Sequence, residues 1–311
     1  MIKKNTERNK TIRLTEKEEN SYVARSIKLS AHNKGVNLEN KVIWQDTFRA
    51  LNYIPDNFAD LIVVDPPYNL TKLFGKNIFR QTDAETYKKW LDKWLAKIGR
   101  ILKPEGSIYI CSDWQSSLLI PEVACKYFIL QNRISWEREK GRAASDNWKN
   151  CLEDIWFFTK SNKYTFNMEA VKVQKKVVAP YRDVNGKPKD WADENGKKIR
   201  YTAPSNIWTD ITVPFWSMAE NTDHPTQKPE KLIAKLILAS SNIGDMVFDP
   251  FLGSGTTAVT AKKLQRRFLG IERERKYVAL ALKRLETADY DKTIQGYENG
   301  IFKSRNYKLT S

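Results

Sequence analysis

The sequence predicts an α/β fold on a mainly parallel central sheet, and three observations carry that expectation. Short, continuous apolar runs such as Leu61-Ile-Val-Val64 lack the alternation of a half-exposed strand, as expected for strands covered on both faces. Segments with helical spacing alternate with these runs along the chain. The runs end abruptly in prolines or glycines, at the strand ends where open α/β sheets bind their ligands. With 311 residues, of which 41% are hydrophobic and 12% aromatic, the chain can bury a substantial core.

Residues 1–36 hold nine Lys/Arg against four Glu with no apolar period, and read as a basic extension, loosely ordered or draped over the body. Residues 37–137 open with the strand Val42-Ile-Trp44, which ends at Gln45-Asp46, and a helix begins between Thr47 and Leu51. Asp60 to Asp65 forms the next strand and stops at Pro66-Pro67; residues 69–82 hold no strong period and read as a loop able to close over the site. Between 83 and 102, Trp90, Leu91, Trp94, Leu95, Ile98 and Leu102 share one broad helical face, ended by Pro104 and Gly106. Ser107–Cys111 is a strand, Leu118, Leu119, Val123 and Cys125 mark a second helix, and Ile134-Ser-Trp136 a further strand. Residues 138–222 are rich in Lys, Asp, Asn, Gly and Pro, with one hairpin-like stretch at Ile155–Phe158 and Tyr164–Phe166; they read as an insertion or small domain. Residues 223–287 return to alternation: a helix at Pro225–Ser240, a strand at Met246–Asp249, a glycine-rich loop, a helix at Thr256–Leu264 and a strand at Arg267–Glu272. Residues 288–311 form a weakly patterned tail.

Composition narrows the function. No apolar run approaches a membrane span and Met1 leads into lysines, so neither an anchor nor a secretory signal is expected, and the cytoplasm is the expected compartment. Three scattered cysteines (Cys111, Cys125, Cys151) and two histidines argue against a disulfide framework and a metal site. A formal net charge of +16, with ten Trp and thirteen Tyr, points to a polyanionic partner, most simply nucleic acid.

Two strand ends look built for chemistry. In Asp249-Pro-Phe-Leu-Gly-Ser-Gly-Thr-Thr257 a strand runs through Gly253 and Gly255 into a helix N-terminus, where backbone can approach a ligand closely. Glu272 ends the following strand, placed to take both hydroxyls of a ribose. No lysine follows the second glycine and no G-x-G-x-x-G is present, so a nucleoside without phosphates fits better than a nucleotide. At Asp65-Pro-Pro-Tyr68, two prolines fix φ and donate no hydrogen bonds. The Asp65 carboxylate and Pro66 carbonyl then form a rigid acceptor pair for an amino group, with the Tyr68 ring as a stacking wall.

At these residues the chain resembles the S-adenosylmethionine-dependent amino-methyltransferases that act on DNA, which carry D-P-P-Y and F-x-G-x-G motifs. Here D-P-P-Y lies at 65–68 and F-x-G-S-G-T at 251–256, so the catalytic motif precedes the cofactor motif. That order is similar to the β-class, circularly permuted arrangement of bacterial restriction-modification systems, of which the MboII and RsrI modification enzymes are examples. His224-Pro-Thr-Gln-Lys-Pro229 is a further hallmark, and the resemblance covers about 40–285. It implies a Rossmann-like methyltransferase domain with catalytic (37–137) and cofactor-binding (223–287) halves and an inserted target-recognition region at 138–222. It implies catalytic roles for Asp65, Pro66, Pro67 and Tyr68. The methyl donor would be held by Asp46, Asp65, Asp249, Phe251, Gly253, Ser254, Gly255, Thr256, Thr257 and Glu272, with Phe251 beside it, Asp46 at its base and Lys228 near its methionine carboxylate. Double-stranded DNA is the implied partner, with a homodimer and a cognate restriction endonuclease as further ones.

The D-P-P-Y form points to adenine N6. Its lone pair is delocalised into the ring, and hydrogen bonds from N6–H to Asp65 and Pro66 free it for direct in-line attack, with the base flipped out of the duplex against Tyr68. No metal and no covalent intermediate are needed, and no cysteine sits where cytosine C5 methylation requires one. Cytosine N4 is the nearest alternative, and a non-catalytic DNA-binding subunit the alternative from another class. Lys/Arg residues in 138–222 number fifteen, and Lys140, Arg142, Lys149, Lys197 and Arg200, with Lys72 and Arg138, are candidate DNA contacts.

Overall fold

The computed structural model describes residues 8–33, 35–74, 77–138, 145–177, 180–194 and 196–303. Helix α1 (Glu16–Val23) starts at a capping box, in which Thr15 and Glu18 satisfy each other's backbone N–H groups. It packs on α8 (Arg275–Tyr290), buries Val23, and ties down through Tyr22 to Glu286 and Arg275 to Glu19. Ile12 bridges Thr222 and Ile27 bridges Ile43, so the basic extension is an ordered strap over residues 8–33, not a loose segment. No apolar period marked it because it crosses the body in short pieces.

The main sheet contains β1 (Lys41–Trp44), β2 (Ala59–Val64), β5 (Leu102–Asp113), β6 (Ile129–Glu137), β7 (Leu152–Thr159), β11 (Ile207–Trp208), β12 (Met246–Asp249) and β13 (Arg267–Glu272). Its order is β1-β13-β12-β2-β5-β7-β6-β11, and only β7 runs against its neighbours. Leu61 and Val63 enter one core layer while Ile62 and Val64 enter the other. The first layer is covered by α6 (Glu230–Ser240), α7 (Thr256–Lys263) and α8, the second by α3 (Ala84–Ile101) and α5 (Ile120–Ala124), which follows the short α4 (Trp114–Ser117). The apolar runs were therefore read correctly as strands buried on both faces.

Three sequence expectations are corrected. β7 lies in the main sheet between β5 and β6, so the sheet continues past 137 to Thr159, and Ile155–Phe158 pairs with those strands, not with Tyr164–Phe166. Within 69–82, β3 (Lys72–Phe74) and β4 (Asn77–Phe79) pair antiparallel, and Thr82 N donates to Asn69 Oδ1 at 2.9 Å. The tail forms β14 (Tyr297–Glu298) and β15 (Ile301–Phe302), which join β8 (Val173–Lys176), β10 (Lys197–Thr202) and β9 (Ala192–Glu194) in a second sheet and bury Phe302. In addition, Pro104 and Gly106 lie within β5, and α8 spans Arg275–Tyr290, where the sequence reading placed no element. Among the described residues no helix is long and apolar enough to cross a membrane.

Candidate active site

Because β12 inserts between β2 and β13, three acids end three adjacent parallel strands: Asp65 after β2, Asp249 in β12 and Glu272 in β13. All three line one cavity of ≈ 600 Å³, with Asp46, just after the neighbouring β1, on its wall. The two half-sites read from the sequence are one site.

At its glycine-rich end, Gly253 and Gly255 sit at φ 55° and 90°, a region that favours glycine. A Cβ on Gly255 would fall 2.7 Å from Ala281 Cβ, so α8 packs directly on the loop; one on Gly253 would meet His224 Nε2 at 3.0 Å. Glu272 accepts from Gly253 N (2.8 Å) through one oxygen and from Glu274 N (2.7 Å) through the other. Burial pushes its carboxyl up to about 7. Asp249, also buried, is pushed up to about 7 by the same cause, although the Thr257 hydroxyl and Phe251 N–H pull it down. Ser254, Thr256 and Thr257 are buried at the start of α7. Asp46 caps α2 (Thr47–Ala50) by accepting from Arg49 N, and the Phe251 ring lies against Trp90 and Trp94 at 6.0 and 5.6 Å.

At the other end, the Pro67 carbonyl accepts from the Tyr87 hydroxyl at 2.9 Å, while among the described residues the Pro66 carbonyl accepts no hydrogen bond. The Tyr68 hydroxyl donates to Asp65 Oδ1 at 2.8 Å. Burial first, then the nearby Asp65 and Glu153 charges, push its ionisation well above the usual tyrosine range.

Lys228 also reaches the catalytic motif. Its Nζ lies 2.8 Å from Asp65 Oδ2, 3.0 Å from the Tyr68 hydroxyl and 3.2 Å from Glu153 Oε2, so its charge is directed to the catalytic motif. Burial alone would lower its pKa, but the Asp65 and Glu153 carboxylates outweigh it and the net shift is upward. Its carbonyl accepts from Thr256 Oγ1 at 3.0 Å, so one residue ties the glycine-rich loop to Asp65.

Four other residues adjoin the site. Glu153 was not singled out, and Arg138, a candidate DNA contact, pairs with it at 2.7 Å. His224 was noted only within its motif. It packs beneath Gly253 and against Tyr277 at 4.3 Å, and burial pushes its pKa down to about 3. Arg284 of α8 is buried and bonds Ser254 O, Thr256 Oγ1 and Glu230.

Of the candidate DNA contacts, Lys72 lines the cavity and Lys149 is exposed on the segment leading to Asn150 at its rim. Arg200 lies near Asp190, at 3.3 Å, beside a second concavity of ≈ 410 Å³ with Lys175 and Lys176. Lys140 and Arg142 lie outside the described residues, and of Lys197 only its backbone pairing with Glu194 is described. Among the described residues, no group of three or more His, Cys, Asp or Glu could hold a metal ion.

The arrangement brings Asp65 and Pro66 into the same cavity as the glycine-rich loop and Glu272, and comparison with known proteins gives the chain its family. The DNA adenine methyltransferase YhdJ of Escherichia coli K12 is 35% identical over 251 residues, 80% of this chain and 83% of that protein. The type II methyltransferase M.HpaI of Haemophilus parainfluenzae is 34% identical over 258 residues, 80% and 75% of the two chains. Among solved structures, the M1.HpyAVI–SAM complex shares the fold at a TM-score of 0.55 and 23% identity, over 78% of this chain and 98% of that one. The cytosine-N4-specific PvuII DNA methyltransferase shares it at 0.57 and 18%, over 80% and 89%. The DNA methylase family profile matches residues 59–283, and the chain belongs to that family of N6/N4 methyltransferases.

Proposed function

We propose that this protein transfers a methyl group from S-adenosylmethionine to N6 of an adenine flipped out of double-stranded DNA at a specific sequence. The observation that carries this reading is that Asp65 and Pro66 line one cavity with the glycine-rich loop and Glu272. The residues present fit the methyl donor: Glu272 is oriented by two backbone N–H groups, and Gly253 and Gly255 let the loop turn through positive φ at the cavity. Glu272 would hold the ribose, with Phe251 and Asp46 on the adjoining walls. Bound there, S-adenosylmethionine supplies an electrophilic sulfonium methyl.

The chain's own part is to orient and to exclude water. Asp65 and the Pro66 carbonyl accept the two N–H bonds of the amine, which favours a tetrahedral nitrogen with its lone pair free for in-line attack. Tyr68, its hydroxyl pinned by Asp65, offers its ring to stack the base. Transfer leaves the nitrogen with one proton too many, and Asp65, already bonded to it, is placed to accept that proton. The net charge of +16 favours the duplex, whose phosphates the exposed lysines and arginines would contact. The same reading places the protein in the cytoplasm, as a homodimer alongside a cognate restriction endonuclease. Asp at 65 and the adenine-specific relative favour adenine over cytosine N4.

The test is transfer from labelled S-adenosylmethionine to unmethylated bacterial DNA, digested to nucleosides and separated, with wild type beside Asp65→Ala. Label in N6-methyladenine, lost in the variant, is expected. Label in N4-methylcytosine would replace the substrate and keep the mechanism. DNA binding without any label would leave a binding subunit.

A further inference from the structure

Asp65 shares one buried ammonium with a second carboxylate for which the chemistry above has no task. Glu153 sits on β7, opposite Asp113 of β5, with its side chain 8% exposed. Its Oε1 takes Arg138 at 2.7 Å; its Oε2 faces Lys228 Nζ at 3.2 Å and the Tyr68 hydroxyl at 3.3 Å. Asp65, Glu153, Lys228 and Arg138 thus form a cluster of two anions and two cations with no net charge, an arrangement in which buried ions can persist. β7 is the one strand of the main sheet that runs against its neighbours, and this direction brings Glu153 to the Asp113 end of β5, at the cavity.

An ammonium buried against Asp65 alone would draw in the same carboxylate lone pairs that a target amine has to reach. Divided between two carboxylates, it compensates each only in part. Resting on the reading of this site as an amino-methyltransferase, we propose that Glu153 is a positioning residue for the reaction. By taking part of Lys228, whose Nζ also reaches the Tyr68 hydroxyl at 3.0 Å, it keeps Asp65 available to the amine and the Tyr68 ring in its stacking plane. It acts through Lys228.

The test is a double-mutant cycle on full-length protein: wild type, Glu153→Gln, Lys228→Met and the double variant. Each is assayed for kcat and KM with labelled S-adenosylmethionine and DNA, for donor binding by calorimetry, and for melting. Gln keeps the size and one acceptor oxygen of Glu153 and removes its charge. The expected result is a loss of about 10- to 100-fold in kcat for Glu153→Gln, the scale of a small misplacement at a reacting centre. Donor affinity stays within about twofold, because Glu153 lies outside the donor's residues, and the double variant is no slower than Lys228→Met, because the effects share one path. If Lys228→Met does not fold, Lys228→Gln takes its place in the cycle. A kcat equal to wild type, a loss confined to KM or donor binding, or losses that multiply in the double variant would each overturn the proposal. A wild type that methylates neither adenine nor cytosine would instead overturn the reading of the site on which it rests.

Discussion

Replacing Gly255 with alanine isolates what holds the glycine-rich loop in place. Gly255 sits at φ 90° and a Cβ there falls 2.7 Å from Ala281 Cβ and 2.8 Å from its Cα, on the backbone of α8, which has little room to yield. Gly244 provides the control: its φ is +83°, but an added Cβ meets nothing within 4 Å. Left-handed strain costs about 1–2 kcal/mol at either position. Overpacking adds about 1–3 kcal/mol at Gly255 alone. Gly244→Ala should therefore lose about 1–2 kcal/mol and Gly255→Ala about 2–5 kcal/mol. Urea unfolding of the three proteins measures both, and calorimetry should show donor binding weakened only in Gly255→Ala, where α7 must shift. Equal losses in the two variants would refute the direct packing of α8 against the loop.

Other outcomes follow from the same structure. Asp249, buried and pushed up to about 7, holds in the folded state a proton that the unfolded chain loses near pH 4, so stability falls as pH rises through that window. Asp249→Asn should escape this and be more stable than wild type by about 1–3 kcal/mol at pH 8 but not at pH 4; a gap independent of pH in urea melts would contradict it. Arg284→Met should cost about 1–3 kcal/mol, because Glu230 keeps Lys263 at 2.7 Å while the bonds to Ser254 and Thr256 are lost, and Arg284→Lys should recover only part, lacking the fork that reaches Ser254, Thr256 and Glu230. Wild-type stability in either variant would refute that role. Glu272→Gln should weaken S-adenosylmethionine binding by about tenfold or more, read by calorimetry, since an amide offers one acceptor oxygen where the carboxylate offers two; an unchanged dissociation constant would place the ribose elsewhere.

What the sequence determined by itself was local in origin. Runs such as Leu61–Val64 and Arg267–Glu272 read as buried strands, and 83–102 read as the helix found at Ala84–Ile101, because solvent exposure imposes its period on neighbouring residues. Gly253, Gly255 and the paired prolines were legible because their backbone constraints belong to the residues themselves. Tertiary structure alone decided what depends on distant partners. Lys228 and Asp65 are separated by 163 positions, and Tyr68 and Glu153 by 85, distances over which no periodicity carries a signal. For the same reason β7 looked like half of a local hairpin although its partners are β5 and β6, and the tail looked unpatterned although β15 completes a sheet begun by β8. The residues of each strand end could be singled out from the sequence; that β12 slides between β2 and β13 and brings those ends to one cavity is a property of the assembled sheet.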